Sequence, residues 1–154
     1  MALQSGAALL PAERRVVASL AAIYATRLFG LFLLLPVLAL HAGSLPGGTP
    51  LLAGIAVGAY GLAQALMQIP FGAWSDRFGR RPLIVIGLVL HIAGSALGWF
   101  AGSAWSVIVA RIVQGLGAVS GPVMAFLADL TRPAARTRAM FAIGMSIGAS
   151  FILS

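Results

Sequence analysis

The sequence predicts an all-α fold, a polytopic bundle of transmembrane helices, and three observations carry that expectation. Of 154 residues, 60% are hydrophobic and only 8% are charged, whereas ordinary soluble domains carry roughly 25% charged residues. Apolar runs of about 20 residues recur, and a helix rising about 1.5 Å per residue needs about that many to cross a hydrocarbon layer roughly 30 Å thick. The charges that remain cluster in short segments between those runs.

The same charges bound the function classes. The formal net charge is +7, every one of the ten basic residues is arginine, and cysteine is absent. Most of the arginines sit in short connections where no continuous basic face can form, so nucleic acid is excluded as a partner. Without cysteine there are no disulfides and no thiolate metal sites. His41 and His91 lie too far apart for metal-ligand spacing, so neither a metal site nor a cofactor is expected. Residues 1–15 are read as a cytoplasmic N-terminus. Its first residues lack the basic region of a cleaved signal peptide, and the first apolar run is expected to be a retained helix.

The transmembrane bundle is expected over 16–154. Its first span covers 16–40 and is followed by the Gly/Pro-rich stretch His41 to Gly48, a loop. Thr49 and Pro50 supply an N-cap and the proline tolerated at the first helical position, which opens a second span over 51–73. A charged loop, Ser75 to Arg81, leads to Pro82 and a third span over 82–101. Gly102 to Ala104 makes a tight connection to a fourth over 105–128, antiparallel to the third. After the charged connection Asp129 to Arg138, a fifth run over 139–154 reaches about 24 Å if helical, short of the roughly 30 Å required. The sequence is therefore expected to stop within a helix, as an incomplete segment.

Orientation follows from the loop arginines. Arg14, Arg15, Arg77, Arg80, Arg81, Arg132, Arg136 and Arg138 all fall on one side of the alternating topology. Positive charge in short loops marks the cytoplasmic side, which places the N-terminus there. Gly54 with Gly58, Gly94 with Gly98, Gly117 with Gly121 and Gly144 with Gly148 are small-residue pairs at four-residue spacing, expected to serve close helix packing. Gly115 to Gly121 superficially suggests a dinucleotide loop, but no strand precedes it and the glycine spacing is wrong.

The most specific stretch is Gly72-Ala73-Trp74-Ser75-Asp76-Arg77-Phe78-Gly79-Arg80-Arg81-Pro82. It resembles the signature loop between the second and third helices of the major facilitator superfamily, Gly-x-x-x-Asp-Arg-x-Gly-Arg-Arg, and meets it at Gly72, Asp76, Arg77, Gly79, Arg80 and Arg81. Arg111-Ile112-Val113-Gln114-Gly115-Leu116-Gly117 resembles the family's Arg-x-x-Gln-Gly-x-Gly motif. Asp129-Leu130-Thr131-Arg132 with Arg136 and Met140 resembles its connection between helices four and five, departing at Pro133-Ala134-Ala135. With Arg27-Leu28-Phe29-Gly30 and Pro36, the pattern is closest to YajR-type transporters, a branch related to drug/proton antiporters, and covers nearly the whole chain from Val16. The resemblance implies a partial major facilitator fold, about five helices of an expected twelve, the rest being supplied by missing helices. It also implies that Asp76, Arg80 and Asp129 form a charge network that holds one access state closed.

Two arginines lie within spans. Arg27 falls about 16 Å into the first helix and Arg111 nearer the outer end of the fourth, where its side chain has the option of snorkelling. A charge facing lipid at the helix centre costs roughly 2.5–3.5 kcal/mol on insertion scales, so both are candidates for a cavity or for coupling. Gln114 joins them through the motif. Tyr60, Gln64 and Gln68 form a polar stripe that either faces the cavity or binds a neighbouring helix. His91, with Ser95 a turn later, reads more readily as a satisfied packing residue than as a proton carrier.

The function implied is secondary transport of a small-molecule substrate by alternating access, as proton-coupled efflux from a bacterial inner membrane, with protons and the lipid bilayer as the other partners. The alternative is a non-transporting integral membrane sensor or assembly protein that retains the fold. A membrane enzyme is not expected, since no nucleophile, paired acid or metal cluster lies within the spans.

Overall fold

The computed structural model describes residues 9–154, and among these no strand occurs. The first eight residues of the expected cytoplasmic N-terminus lie outside the described residues. Six helical segments follow one another: α1 (Pro11–Ser44), α2 (Pro50–Phe78), α3 (Arg80–Trp99), α4 (Ala104–Leu116), α5 (Ser120–Leu130) and α6 (Pro133–Leu153). Four stretches are long and apolar enough to cross a membrane: Pro11–Leu38, Pro50–Phe78, Arg80–Trp99, and Ala104–Leu130 taken across the break between α4 and α5. The all-α, partial transmembrane bundle read from the sequence is the architecture found.

Beside an apolar core, large apolar side chains are widely exposed and a few polar ones are buried. Leu62, Leu66 and Ile69 on α2, Val85, Val89 and Ile92 on α3, and Phe141 and Met145 on α6 are all exposed, while Arg27, Arg111 and Gln114 are buried. Stripes of large apolar side chains spaced three and four apart suit a lipid environment and would be an aggregation liability in water. Trp99 and Trp105 are exposed on either side of the connection from α3 to α4, where an interfacial aromatic belt would sit.

Several boundaries move from those expected. α1 starts at Pro11 and continues to Ser44, so the segment from His41 to Ser44, expected as loop, is helical. Thr49 does cap α2, its side chain accepting from the Leu52 amide at 3.2 Å with Pro50 in the first turn. The charged segment expected as a loop over Ser75 to Arg81 is helical on both sides of a single residue, Gly79. α6 starts at Pro133 rather than with the apolar run at Ala139, because a proline suits the first helical turn and Arg136 and Arg138 are tolerated in it.

The fourth span is not continuous. Between α4 and α5 the amides of Ala118 and Val119 donate to Leu116 and Gly117 carbonyls, each at 2.9 Å. Gly117, at φ −73° and ψ 55°, has the shape of an inverse γ-turn.

By compactness the described chain forms two units. Leu34–Pro122 make one; the described residues up to Leu33, with Val123–Ser154, make the other. In the first, α4 packs against both α2 and α3. A core of Leu38, Ala53, Ala56, Val107 and Ile108 lies toward one end, and a second of Phe71, Leu83 and Ala118 toward the other. Ser103 and Ser106 form a reciprocal capping box at the start of α4, satisfying two amides that hydrocarbon could not.

Close approach in this unit is carried by glycines, only some of them the expected pairs. A Cβ on Gly94 would meet the backbone of Gln114, one on Gly115 the Tyr60 carbonyl, and one on Gly117 the Gly87 carbonyl, whereas Gly54 and Gly58 have open space beside them. Gly144 and Gly148, in the other unit, are likewise open among the described residues. Four-residue spacing alone does not say which face meets a neighbour.

The second unit is fastened by a polar staple. Glu13 Oε1 accepts from the Arg132 amide and from Arg132 Nε, both at 3.0 Å, while its Oε2 accepts from the Leu10 amide at 2.8 Å. The carboxylate raises the Arg132 guanidinium above its ordinary pKa, chiefly through the side-chain hydrogen bond. Farther along, Ser150 Oγ bonds to the Ala25 carbonyl at 3.0 Å, and Phe32 meets Phe151 edge-on at 5.2 Å between centroids.

Candidate functional site

Two polar constellations stand out within the unit Leu34–Pro122. The first surrounds Gly79, which ends α2 and begins α3 at φ +97°. That conformation is open to glycine and strained for L side chains, so the residue is fixed by backbone geometry. It lets two helices meet with one residue between them, and Asp76 on α2 and Arg80 on α3 form an ion pair across the break. Arg80 Nη1 also donates to Ser75 Oγ at 2.7 Å, and Ser75 Oγ donates to the Gly72 carbonyl at 2.8 Å. Ser75 is 1% exposed. Arg80 therefore ties an exposed carboxylate to a buried hydroxyl, while Arg77 stacks over Phe78 at 5.5 Å and Arg81 is exposed.

The second constellation is buried among α2, α3 and α4. Arg111 is 3% exposed, so it does not snorkel as its place near the end of α4 allowed. Its Nη1 donates to Gln114 Oε1 at 2.5 Å; Gln114 Nε2 donates to Ser95 Oγ at 2.9 Å; and Ser95 Oγ donates to the His91 carbonyl at 2.9 Å. One face of the guanidinium lies 4.6 Å from the Tyr60 ring centroid, which in turn meets the His91 ring edge-on. Arg111 and Gln114 share a helical face because they are three residues apart, and the close approach at Gly94 brings α3 within reach of Gln114.

The remaining expected residues are dispersed. Gln64 and Gln68 are half-buried on α2, and Tyr60 is the member of that stripe that reaches the arginine. Gly72 has open space beside it and contributes its carbonyl. Arg27 is 5% exposed and Asp129 is exposed, both in the other unit. Sequence reading overlooked Ser75 as the buried anchor of Arg80 and Glu13 as the staple to Arg132. Ser75 was detectable in principle as a small polar residue one turn before Gly79, but Glu13 and Arg132 are joined only by the fold.

Residues 20–154 match the family model described as Major Facilitator Superfamily. The chain belongs to that superfamily. It is 47% identical over 144 residues to the inner membrane transport protein YajR of Escherichia coli (strain K12), covering 94% of this chain and 32% of that one. A transporter of Buchnera aphidicola from Acyrthosiphon pisum is 39% identical over 142 residues, covering 92% of this chain and 36% of its own. The multidrug resistance protein MdtH of Yersinia enterocolitica is 35% identical over 111 residues, or 71% of this chain and 28% of that one. The chain thus spans about a third of the length of the curated relatives it matches. As a major facilitator chain with four membrane-crossing stretches, it is an integral membrane protein.

Proposed function

We propose that this chain works as the N-terminal part of a secondary transporter that expels a small organic molecule across a bacterial inner membrane by alternating access, coupled to protons. The observation that supports this most is the Arg111–Gln114–Ser95 relay, a charged group held inside an apolar bundle. Intramembrane cations are costly and are retained where a substrate or ion path needs them. A transport protein and a multidrug resistance protein among the relatives support small-molecule efflux. The acids of this chain, Glu13, Asp76 and Asp129, lie at helix ends, so the proton carrier is assigned to sequence beyond these residues. In the complete protein Arg27 and Arg111 each face water rather than lipid.

Cells expressing the complete reading frame should accumulate less of a cytotoxic dye than cells lacking it, and a protonophore should erase the difference. Equal accumulation across a chemically varied panel would remove efflux as the function.

The orientation proposed puts the Gly79 break in the cytoplasm and Gly47 outside, on the strength of the one-sided arginines. Because the chain has no cysteine, Phe78→Cys and Gly47→Cys can be probed with an impermeant thiol reagent in intact cells. Labelling is expected at position 47 alone; labelling at 78 alone would reverse the topology.

A further inference from the structure

An ion pair at a helix end is ordinarily exposed and contributes little, but Glu13 is only 6% exposed and each of its carboxylate oxygens accepts twice. Oε1 takes the Arg132 amide and Nε, while Oε2 takes the Leu10 amide and, at 3.3 Å, Arg132 Nη2. Arg132 is the N-cap residue of α6 and makes no side-chain cap of its own. A carboxylate on α1 therefore supplies the cap that α6 lacks, besides holding the chain that enters α1. Farther along, the same two helices are joined again, where the buried Ser150 hydroxyl donates to the Ala25 carbonyl and Phe32 meets Phe151. Glu13 and Ala25 are about 18 Å apart along α1, at roughly 1.5 Å per residue. One attachment would leave a pivot; two at that separation fix the angle between the helices as well as their distance. Between the attachments α6 buries Ala135 and Ala139 completely, small side chains that let backbones approach closely.

We propose that Glu13 is a clamp that keeps α1 and α6 side by side in every access state, so that the pair moves as one rigid body and alternating access opens and closes elsewhere. The part played in alternating access rests on the transport reading; the clamp itself does not. The other role open to a charged pair at a membrane edge is a gate, formed in one state and broken in the next. An exposed pair suits a gate, because water replaces each partner as it opens. Breaking the contact at Glu13 would instead leave the Leu10 and Arg132 amides and a buried carboxylate all seeking new partners at once, and unmet buried groups are costly. A contact of that kind suits a joint that stays closed.

The test uses the protein from its complete reading frame in lipid nanodiscs, spin-labelled only at Arg15→Cys and Ala134→Cys, two exposed positions beside the staple. One narrow distance distribution is expected, with no second peak when the pH is lowered. Glu13→Gln, which keeps the shape but loses the charge, should broaden it. Two distances in the parent, or a Glu13→Gln distribution as narrow as the parent's, overturns the proposal, and the parent measurement stands even where the variant does not fold. In a second arm Glu13→Cys and Arg132→Cys are joined by a short thiol-specific crosslinker, and the protein is reconstituted into vesicles with a compound that the cell accumulation experiment identifies. The crosslinked protein should move that compound at the parent's rate. A block that reductant reverses would make the contact a gate and overturn the clamp. Absence of flux from parent and crosslinked protein alike would remove transport, and the distance measurement would then decide the clamp by itself.

Discussion

Gly115→Val should leave little folded protein in the membrane, whereas Gly54→Val should be nearly silent. Both glycines are on spans, yet a Cβ at Gly115 points at the Tyr60 carbonyl and the Ala63 side chain, while one at Gly54 meets nothing. The obstacle at Gly115 is backbone, which cannot rotate away as a side-chain tip can. Overpacking typically costs about 1–3 kcal/mol, occasionally more, and here it also pushes apart α2 and α4, which hold Tyr60 against Arg111. The yield of monodisperse protein and its thermal midpoint are the readouts. A Gly115→Val protein as stable as the parent would mean that the two helices are not this close.

The second large effect is expected at Arg80. Arg80→Gln should slow transport at least about tenfold, because it removes an ion pair and a charge-assisted hydrogen bond worth about 1.5–3 kcal/mol. Asp76→Asn should do less: Asp76 is 67% exposed, and an exposed pair contributes only about 0–1 kcal/mol. The buried Ser75 hydroxyl remains available to Arg80 in that variant. These interactions alter transport only if they differ in strength between the two access states. The double variant Asp76→Asn, Arg80→Gln should therefore be no slower than Arg80→Gln alone. Strictly additive losses would mean that the two residues act independently, and the break at Gly79 would then be a topology signal and no more.

Much of this was legible in the chain, for identifiable reasons. Composition and run length set the class because a bilayer demands long apolar helices with internally satisfied backbones. Thr49-Pro50 gave the start of α2 because caps are local. What was not legible depended on neighbours. The segment around Gly79 looked like a loop because it is charged, but charged residues extend helices past the membrane edge, and only the positive φ of one glycine breaks them. The fourth span read as continuous because Gly117 to Val119 contains no helix breaker strong enough to show; the break lies where Gly117 meets the Gly87 carbonyl. Arg111 looked free to snorkel from its distance to the helix end. Its burial follows from Tyr60 and Gln114, the first of them on another helix.

The central claim is tested most directly by reconstituting the complete protein into proteoliposomes with a pH-sensitive dye inside and following a compound singled out by the cell accumulation experiment. With an imposed proton gradient, the compound should move against the direction of proton flow, and each addition of it should release a pulse of protons. Arg111→Gln protein at equal density should show neither movement. Compound and proton fluxes indistinguishable from those of protein-free vesicles, under gradients of either sign, would contradict the transporter account.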